Sequence, residues 1–312
     1  MESKKNKNKE KEKENELEKP QLSYENLWKV IIRPSRDNYT LKELGPPSFV
    51  LKNKNYSRKD FNLLGSNGNI LKCTFFELDE IDRKVLSLPV IIYLHGNSGS
   101  RVDCMKYLRI VLENDINLFC FDFAGCGLSE GEYISLGHHE KEDLKIIINF
   151  VSNLPNVASI GLWGHSMGAA TAILCAAETN RISCVCADSS FADFLVLAQE
   201  LTKENLKLPN FIISTAISFL RKVVINKNGL DIYHLKPIEA VQNIKVPVMF
   251  VHGFKDALIN IHHSVELFDK CKGSPKFVNF FEGGHNTKRD KEVNQKVIEF
   301  FKNYLNKENY QI

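Results

Sequence analysis

Ser166 lies in Gly164-His165-Ser166-Met167-Gly168, the pattern G-x-S-x-G, with the apolar run Ile160 to Trp163 directly before it and the helical run Ala169 to Ala177 directly after. A sharp strand-to-helix turn of this kind lifts a serine hydroxyl clear of a sheet and crowds the backbone, so its flanking positions need glycine. At this chain's Gly and Ser content the pattern arises by chance about 0.06 times, before its flanks are considered. A serine hydroxyl is a weak nucleophile until an imidazole accepts its proton, and that imidazole needs a carboxylate on its other nitrogen to fix its tautomer. Both partners follow in the order Ser, acid, His: Asp256 in His252-Gly253-Phe254-Lys255-Asp256 and His285 in Gly283-Gly284-His285-Asn286. Each comes just past an apolar run, Val248 to Val251 and Phe277 to Phe281. That places them at carboxyl ends of strands, where open parallel sheets build their sites. Asp188, after Ile182 to Ala187, satisfies the same order. The loop before the His-bearing strand is the usual donor of the acid, so Asp256 is expected in that role and Asp188 as a structural neighbour.

Acyl transfer also needs N–H donors for the oxyanion, normally the amide after the nucleophile and one from the loop after the third strand. Met167 supplies the first, and Asn97 in His95-Gly96-Asn97-Ser98-Gly99 is expected to supply the second. Other polar residues receive plainer readings. His95 and His252, each at a strand end before Gly, read as hydrogen-bonded structural histidines. The pairs His138, His139 and His262, His263 lack Cys or acidic residues at ligand spacing, so they read as surface or helix-start residues and no metal or cofactor is expected. Cys126, in a Gly-flanked loop, reads as a small packing residue rather than a reactive thiol.

The elements that must position these residues follow from hydrophobic patterning. Arg58 to Leu64 and Ile70 to Leu78, joined through Gly65, Asn67, Gly68 and Asn69, predict a hairpin with a Gly-rich turn. Beyond it strands alternate with helices: Pro89 to Leu94, a helix near Asp103 to Glu113, Asn117 to Phe121, a helix near Glu142 to Ser152, Ser159 to Gly164 and a helix from Met167 to about Glu178. Then come Ile182 to Ala187, Val246 to His252, a helix near His262 to Lys270, Phe277 to Phe281 and a closing helix from about Lys291 to Asn306. This βαβ rhythm, with continuously apolar runs such as Val90 to Leu94, predicts an α/β fold whose mostly parallel sheet carries helices on both faces. Residues 191–243 interrupt the rhythm with two helical patterns and are expected to form a small helical lid. Within it Phe211, Ile212, Ile213, Ala216, Ile217, Phe219 and Leu220 are apolar on more than one helical face, as a pocket wall, a membrane-contact surface or plain burial would require.

Composition bounds the rest. The chain's 312 residues allow one large domain, and 41 Lys and Arg against 38 Asp and Glu give only +3, too little for a nucleic-acid-binding field. Residues 1–20 hold seven Lys and six Glu with one Leu and are expected to be a disordered charged tail. Residues 21–57 are expected as an N-terminal extension and residues 58–310 as the catalytic domain. Neither a secretory signal nor a myristoylation site is legible, and Phe211 to Leu220 is too short to span a bilayer. The eight Cys read as reduced, mostly buried thiols. The expected setting is intracellular and cytoplasmic, with peripheral membrane contact through the lid left open.

Four blocks together, His95 to Gly99, Asp122 to Gly131, Gly164 to Gly168, and the Asp256 and His285 blocks, resemble the α/β-hydrolase superfamily, in particular its BEM46 and ABHD17-like branch of small-lid serine hydrolases (serine aminopeptidase S33-type), over roughly residues 58–305. The resemblance implies esterase, thioesterase or lipase-like chemistry on a small-molecule or acyl-protein substrate, and one branch of the family removes palmitate from protein cysteines. Two other readings share the same motifs: a serine peptidase, and a catalytically silent scaffold used for binding.

Overall fold

Nine strands form one sheet in the order β1-β2-β3-β5-β4-β6-β7-β8-β9 in the computed structural model, which describes residues 27–206 and 210–305. The expected tail over residues 1–20 lies outside the described residues. The first three strands, β1 (Ser48–Leu51), β2 (Lys54–Leu64) and β3 (Ile70–Leu78), are antiparallel, and Leu64 opposite Ile70 closes the expected hairpin. β3 runs antiparallel to β5 (Asn117–Phe121), after which β4 (Leu88–Leu94), β6 (Val157–His165), β7 (Cys184–Asp188), β8 (Val248–Gly253) and β9 (Lys276–Phe281) continue in parallel. The hydrophobic pattern places the six parallel strands within a few residues of their ends. It misses β1, which falls in the segment read as an extension: four residues whose exposure alternates on a sheet edge carry no apolar run to detect.

Helices cover both faces. On one side lie α2 (Met105–Leu112) and α8 (Lys291–Leu305), whose apolar residues recur at helical spacing, as Val293, Val297, Ile298, Phe301 and Leu305 do. On the other lie α3 (Glu140–Ser152), α4 (Met167–Ala176) and α7 (His262–Lys270). α4 is buried on almost every side, which its small residues Gly168, Ala169, Ala170 and Ala172 permit by letting the backbone approach the sheet. The strands between are dry: Val90, Ile91, Ile92, Leu94, Phe119, Phe121 and Phe250 are fully buried. Burial of each such side chain stabilises the fold by about 1.5–3 kcal/mol.

Between β7 and β8 the chain leaves the sheet and forms α5 (Phe194–Leu206), α6 (Asn210–Asn228) and a short turn of helix at Pro237–Ala240. Phe194, Leu197, Ile213, Ile217, Leu220 and Val224 from this excursion join the core on the α4 side. α1 (Leu27–Ile32) packs against α6, with Lys227 Nζ 4.0 Å from the centre of the Trp28 ring.

Candidate active site

Gly164 and Gly168 show why the turn between β6 and α4 needs glycine. A Cβ on Gly164 would drive into the Gly168 carbonyl, and one on Gly168 into the Leu94 carbonyl. Between them Ser166 adopts φ 55° and ψ −117°, a strained conformation for a non-glycine residue and one that concentrates at functional positions. The Ser166 N–H donates to the Asp188 carbonyl at 2.8 Å, tying the turn to the end of β7.

Three sequence-distant residues meet above this turn. His285 Nε2 lies 2.9 Å from Ser166 Oγ, and His285 Nδ1 lies 2.7 Å from Asp256 Oδ2. An ionised carboxylate only accepts, so Nδ1 carries the imidazole proton and Nε2 is left to accept from the serine hydroxyl. Asp256 is itself held by the Leu258 and Ile259 amides, at 3.0 and 2.8 Å from Oδ1. Burial alone would raise its carboxyl, but hydrogen bonds from His252 and His285, together with the Ile259 amide, hold it well below the usual carboxylate range. It therefore stays ionised at neutral pH.

The oxyanion-side residues lie alongside. Gly99 N–H to Gly96 carbonyl, 3.1 Å, closes a tight turn that carries Asn97 and Ser98. A Cβ on Gly96 would sit 3.6 Å from Ser166 Cβ, which measures how near this loop comes to the nucleophile. Met167 opens α4, where first-turn amides lack intrahelical acceptors. Asp122, fully buried, fixes the loop from behind by accepting from the Arg101 amide at 2.7 Å, the Leu128 amide at 2.9 Å and the Tyr39 hydroxyl at 2.7 Å.

A cavity of about 900 Å³ opens beside Ser166. One wall is apolar, with Phe191, Phe194, Leu197, Leu201, Ile217 and Leu220 contributed by the excursion after β7. Charged Asp37, Asp103 and Lys106 also line the cavity, beside Tyr93 and Tyr107. Of the residues expected in a lid, Ala216, Ile217 and Leu220 line the cavity, Ile213 is buried, Phe219 is 58% exposed, and the side chain of Phe211 lies outside the described residues. Ile31 and Asp37 also reach the cavity from ahead of the sheet, where Asp37 Oδ2 accepts from Ser100 Oγ at 2.5 Å.

A family model for the alpha/beta hydrolase fold matches residues 89–226. An esterase of Pyrococcus furiosus superposes with a TM-score of 0.64 at 23% identity, covering 87% of this chain and 98% of that one. This chain has the α/β-hydrolase fold. Among curated relatives of this chain, the uncharacterized protein YqkD of Bacillus subtilis is 28% identical over 220 residues, 68% of this chain and 71% of YqkD. The lysophosphatidylserine lipase ABHD12 of Danio rerio is 25% identical over 195 residues, 59% of this chain. This chain spans about half the length of that lipase, 47% of it.

Other polar residues singled out by the sequence have partners that spacing did not reveal. His95 accepts from the Phe123 amide at Nε2, 3.1 Å, and donates from Nδ1 to the Gly96 carbonyl, 2.6 Å. His252 is equally built in, with Nδ1 2.6 Å from Ser264 Oγ and Nε2 donating to the Ile259 carbonyl at 2.8 Å, but it also lies 3.3 Å from Asp256 Oδ2. Asp188 receives the buried Arg289 guanidinium, a pairing across 101 residues. Cys126 is buried, and burial pushes its thiol up, away from a reactive thiolate.

The pair His262 and His263 departs from its sequence reading, because the fold brings Glu200 of α5 to both, at 2.6 and 3.1 Å. These three offer ligand atoms within 4.8 Å of one another. However, the Ala192 amide donates to His263 Nδ1 at 3.3 Å, so the imidazole proton sits on Nε2, facing Glu200. A metal on Nε2 would force that proton onto Nδ1, against the Ala192 N–H. The trio fits a hydrogen-bonded tie between α5 and α7. His138 and His139 sit ring against ring at 4.8 Å, and His139 Nε2 donates to the Asn228 carbonyl, 2.8 Å, at the end of α6.

Proposed function

We propose that this α/β hydrolase cleaves a carboxylic ester or thioester through Ser166, His285 and Asp256. The observation that carries the reading is the hydroxyl–imidazole–carboxylate chain at 2.9 and 2.7 Å, beside a cavity with one apolar wall. Ser166 Oγ attacks the carbonyl carbon while His285 Nε2 takes its proton. The Asn97 and Met167 amides stabilise the oxyanion, a contribution of about 3 kcal/mol for each donor. Collapse of the tetrahedral intermediate breaks the bond to the alcohol or thiol, which leaves with the proton from His285. Water, deprotonated by the same imidazole, then attacks the acyl-enzyme and releases the acid, with Asp256 balancing the imidazolium in both halves.

The apolar wall from residues 191–243 supports a lipid-like acyl group as substrate, with this segment acting as a lid over the site. The lipase named among the relatives and the esterase among the solved structures point the same way. An acylated protein cysteine offers the same bond as a small thioester and falls within the proposal. Turnover of oxygen esters and thioesters of graded chain length, set beside peptides, tests it. Ser166→Ala should lose about a million-fold in kcat and all labelling by a fluorophosphonate. A folded wild type that resists labelling, or that cleaves peptides in preference to esters, overturns the reading.

A further inference from the structure

Asp188 ends β7 and stands in register with His165, next to the nucleophile turn. Its two polar ends face different partners. The backbone carbonyl accepts the Ser166 N–H at 2.8 Å. The carboxylate accepts a two-pronged Arg289, with Nε to Oδ2 at 2.8 Å and Nη2 to Oδ1 at 2.6 Å. The third arm of that guanidinium, Nη1, donates to the His285 carbonyl at 3.1 Å and to the Thr287 carbonyl. Both side chains are nearly sealed, Asp188 at 1% and Arg289 at 4% exposure, and the guanidinium lies 4.6 Å from the centre of the Phe281 ring.

His285 sits on a loop, and the ties along that loop are unevenly distributed. Up to Gly283 it is fastened to the Asp256 loop by backbone bonds, Phe254 N–H to Phe281 carbonyl at 2.9 Å and Lys255 N–H to Gly283 carbonyl at 2.8 Å. From His285 on, the side chains of His285 and Asn286 reach Asp256, Ser166 and His165, while the His285 and Thr287 backbone carbonyls are held by Arg289, which ties them to Asp188. We infer that the Asp188–Arg289 pair is a positioning device that sets the distance between Ser166 and His285, holding the nucleophile by its amide and the base by its carbonyl. Neither side chain bonds to Ser166 Oγ or to the His285 ring, so neither is a catalytic residue. The inference rests on the reading of Ser166 and His285 given under Proposed function.

Arginine suits this role because its planar fork fixes two bonds to a carboxylate while leaving an arm for a carbonyl, which a lysine ammonium does not reproduce. Nor is stability a sufficient reason for the pair, since buried ion pairs are often replaceable by apolar side chains without loss.

The test uses the full chain, a short p-nitrophenyl ester and a fluorophosphonate, with folding followed by thermal unfolding. Arg289→Lys, folded, should lower kcat and the labelling rate about tenfold with KM within about twofold, because misplacement near 1 Å can cost up to about a hundredfold. Arg289→Ala should lose about a hundredfold and regain part of it when guanidinium is added. Wild-type kcat in Arg289→Lys, or a loss confined to KM, overturns the inference. If Arg289→Ala does not fold, Arg289→Lys decides; if neither folds, the pair serves the fold alone and the inference fails. A wild type that does not label removes the functional reading together with this one, whereas a labelled wild type matched by Arg289→Lys removes only the positioning role.

Discussion

At the strand ends, polar groups are buried and held from several sides, whereas the helices of the excursion after β7 line the cavity with apolar side chains and carry several of their polar ties on partly exposed groups. Asp256 has partners in two amides and two imidazoles. The excursion after β7 is different: Arg221 meets Asp231 at the margin, Ser218 faces Tyr233 at 3.3 Å, and Phe219 is open to solvent. The contrast separates two tasks. Directional bonds in a dry setting define where a proton moves, and they tolerate no displacement. Apolar contacts define what fits, and one can be traded for another at modest cost.

Breaking the rigid half should therefore be far more damaging than altering the cover. Asp256→Asn keeps the shape but removes the carboxylate that selects the His285 tautomer, so kcat should fall about ten-thousand-fold in steady-state ester hydrolysis while the unfolding temperature changes little. Gly164→Ala forces a Cβ into the Gly168 carbonyl, and the backbone shift should cost about 3 kcal/mol, read from the urea midpoint, together with loss of fluorophosphonate labelling. On the cover, Leu197→Ala should lower kcat/KM about tenfold for long acyl chains and leave short esters within about twofold, as a chain-length series would reveal.

The smallest effect belongs to the rim. Arg221 donates to Asp231 and lowers its carboxyl to about 2. A carboxyl depressed in the folded state adds stability above its unfolded value, about 3.9, and that addition disappears as pH falls through about 2. Arg221→Met should thus lower the urea midpoint only slightly at neutral pH, and the difference from wild type should shrink away in acid. Urea titrations at about pH 6 and about pH 2 would measure both.

The sequence was most informative where a pattern is local. Continuous apolar runs such as Val-Ile-Ile-Tyr-Leu in β4 announce strands buried on both faces, and G-x-S-x-G with its two flanks marks the turn that Gly164 and Gly168 make feasible. The chain order Ser, acid, His singled out residues 166, 256 and 285, which the fold joins in space through His285, 2.9 Å from Ser166 and 2.7 Å from Asp256. What stayed hidden depends on tertiary approach. Arg289 reaches Asp188 across 101 residues, Glu200 reaches His262 across 62, and β1 is a short edge strand whose partner alone makes it visible. None of these leaves a periodic trace, because a single polar side chain gains its meaning only from the element packed opposite.

The approach of Ile31 and Asp37 to the cavity alters how a shortened version of this chain should be designed. A truncation made at the first strand retains all nine strands and Ser166, yet removes Ile31 and Asp37 from the lining of the cavity. It also takes the Tyr39 hydroxyl from Asp122 and the buried Ile32 and Leu44 from the core, so single changes at Ile31 and Asp37, rather than removal of the segment, are the handle for altering selectivity while sparing the fold.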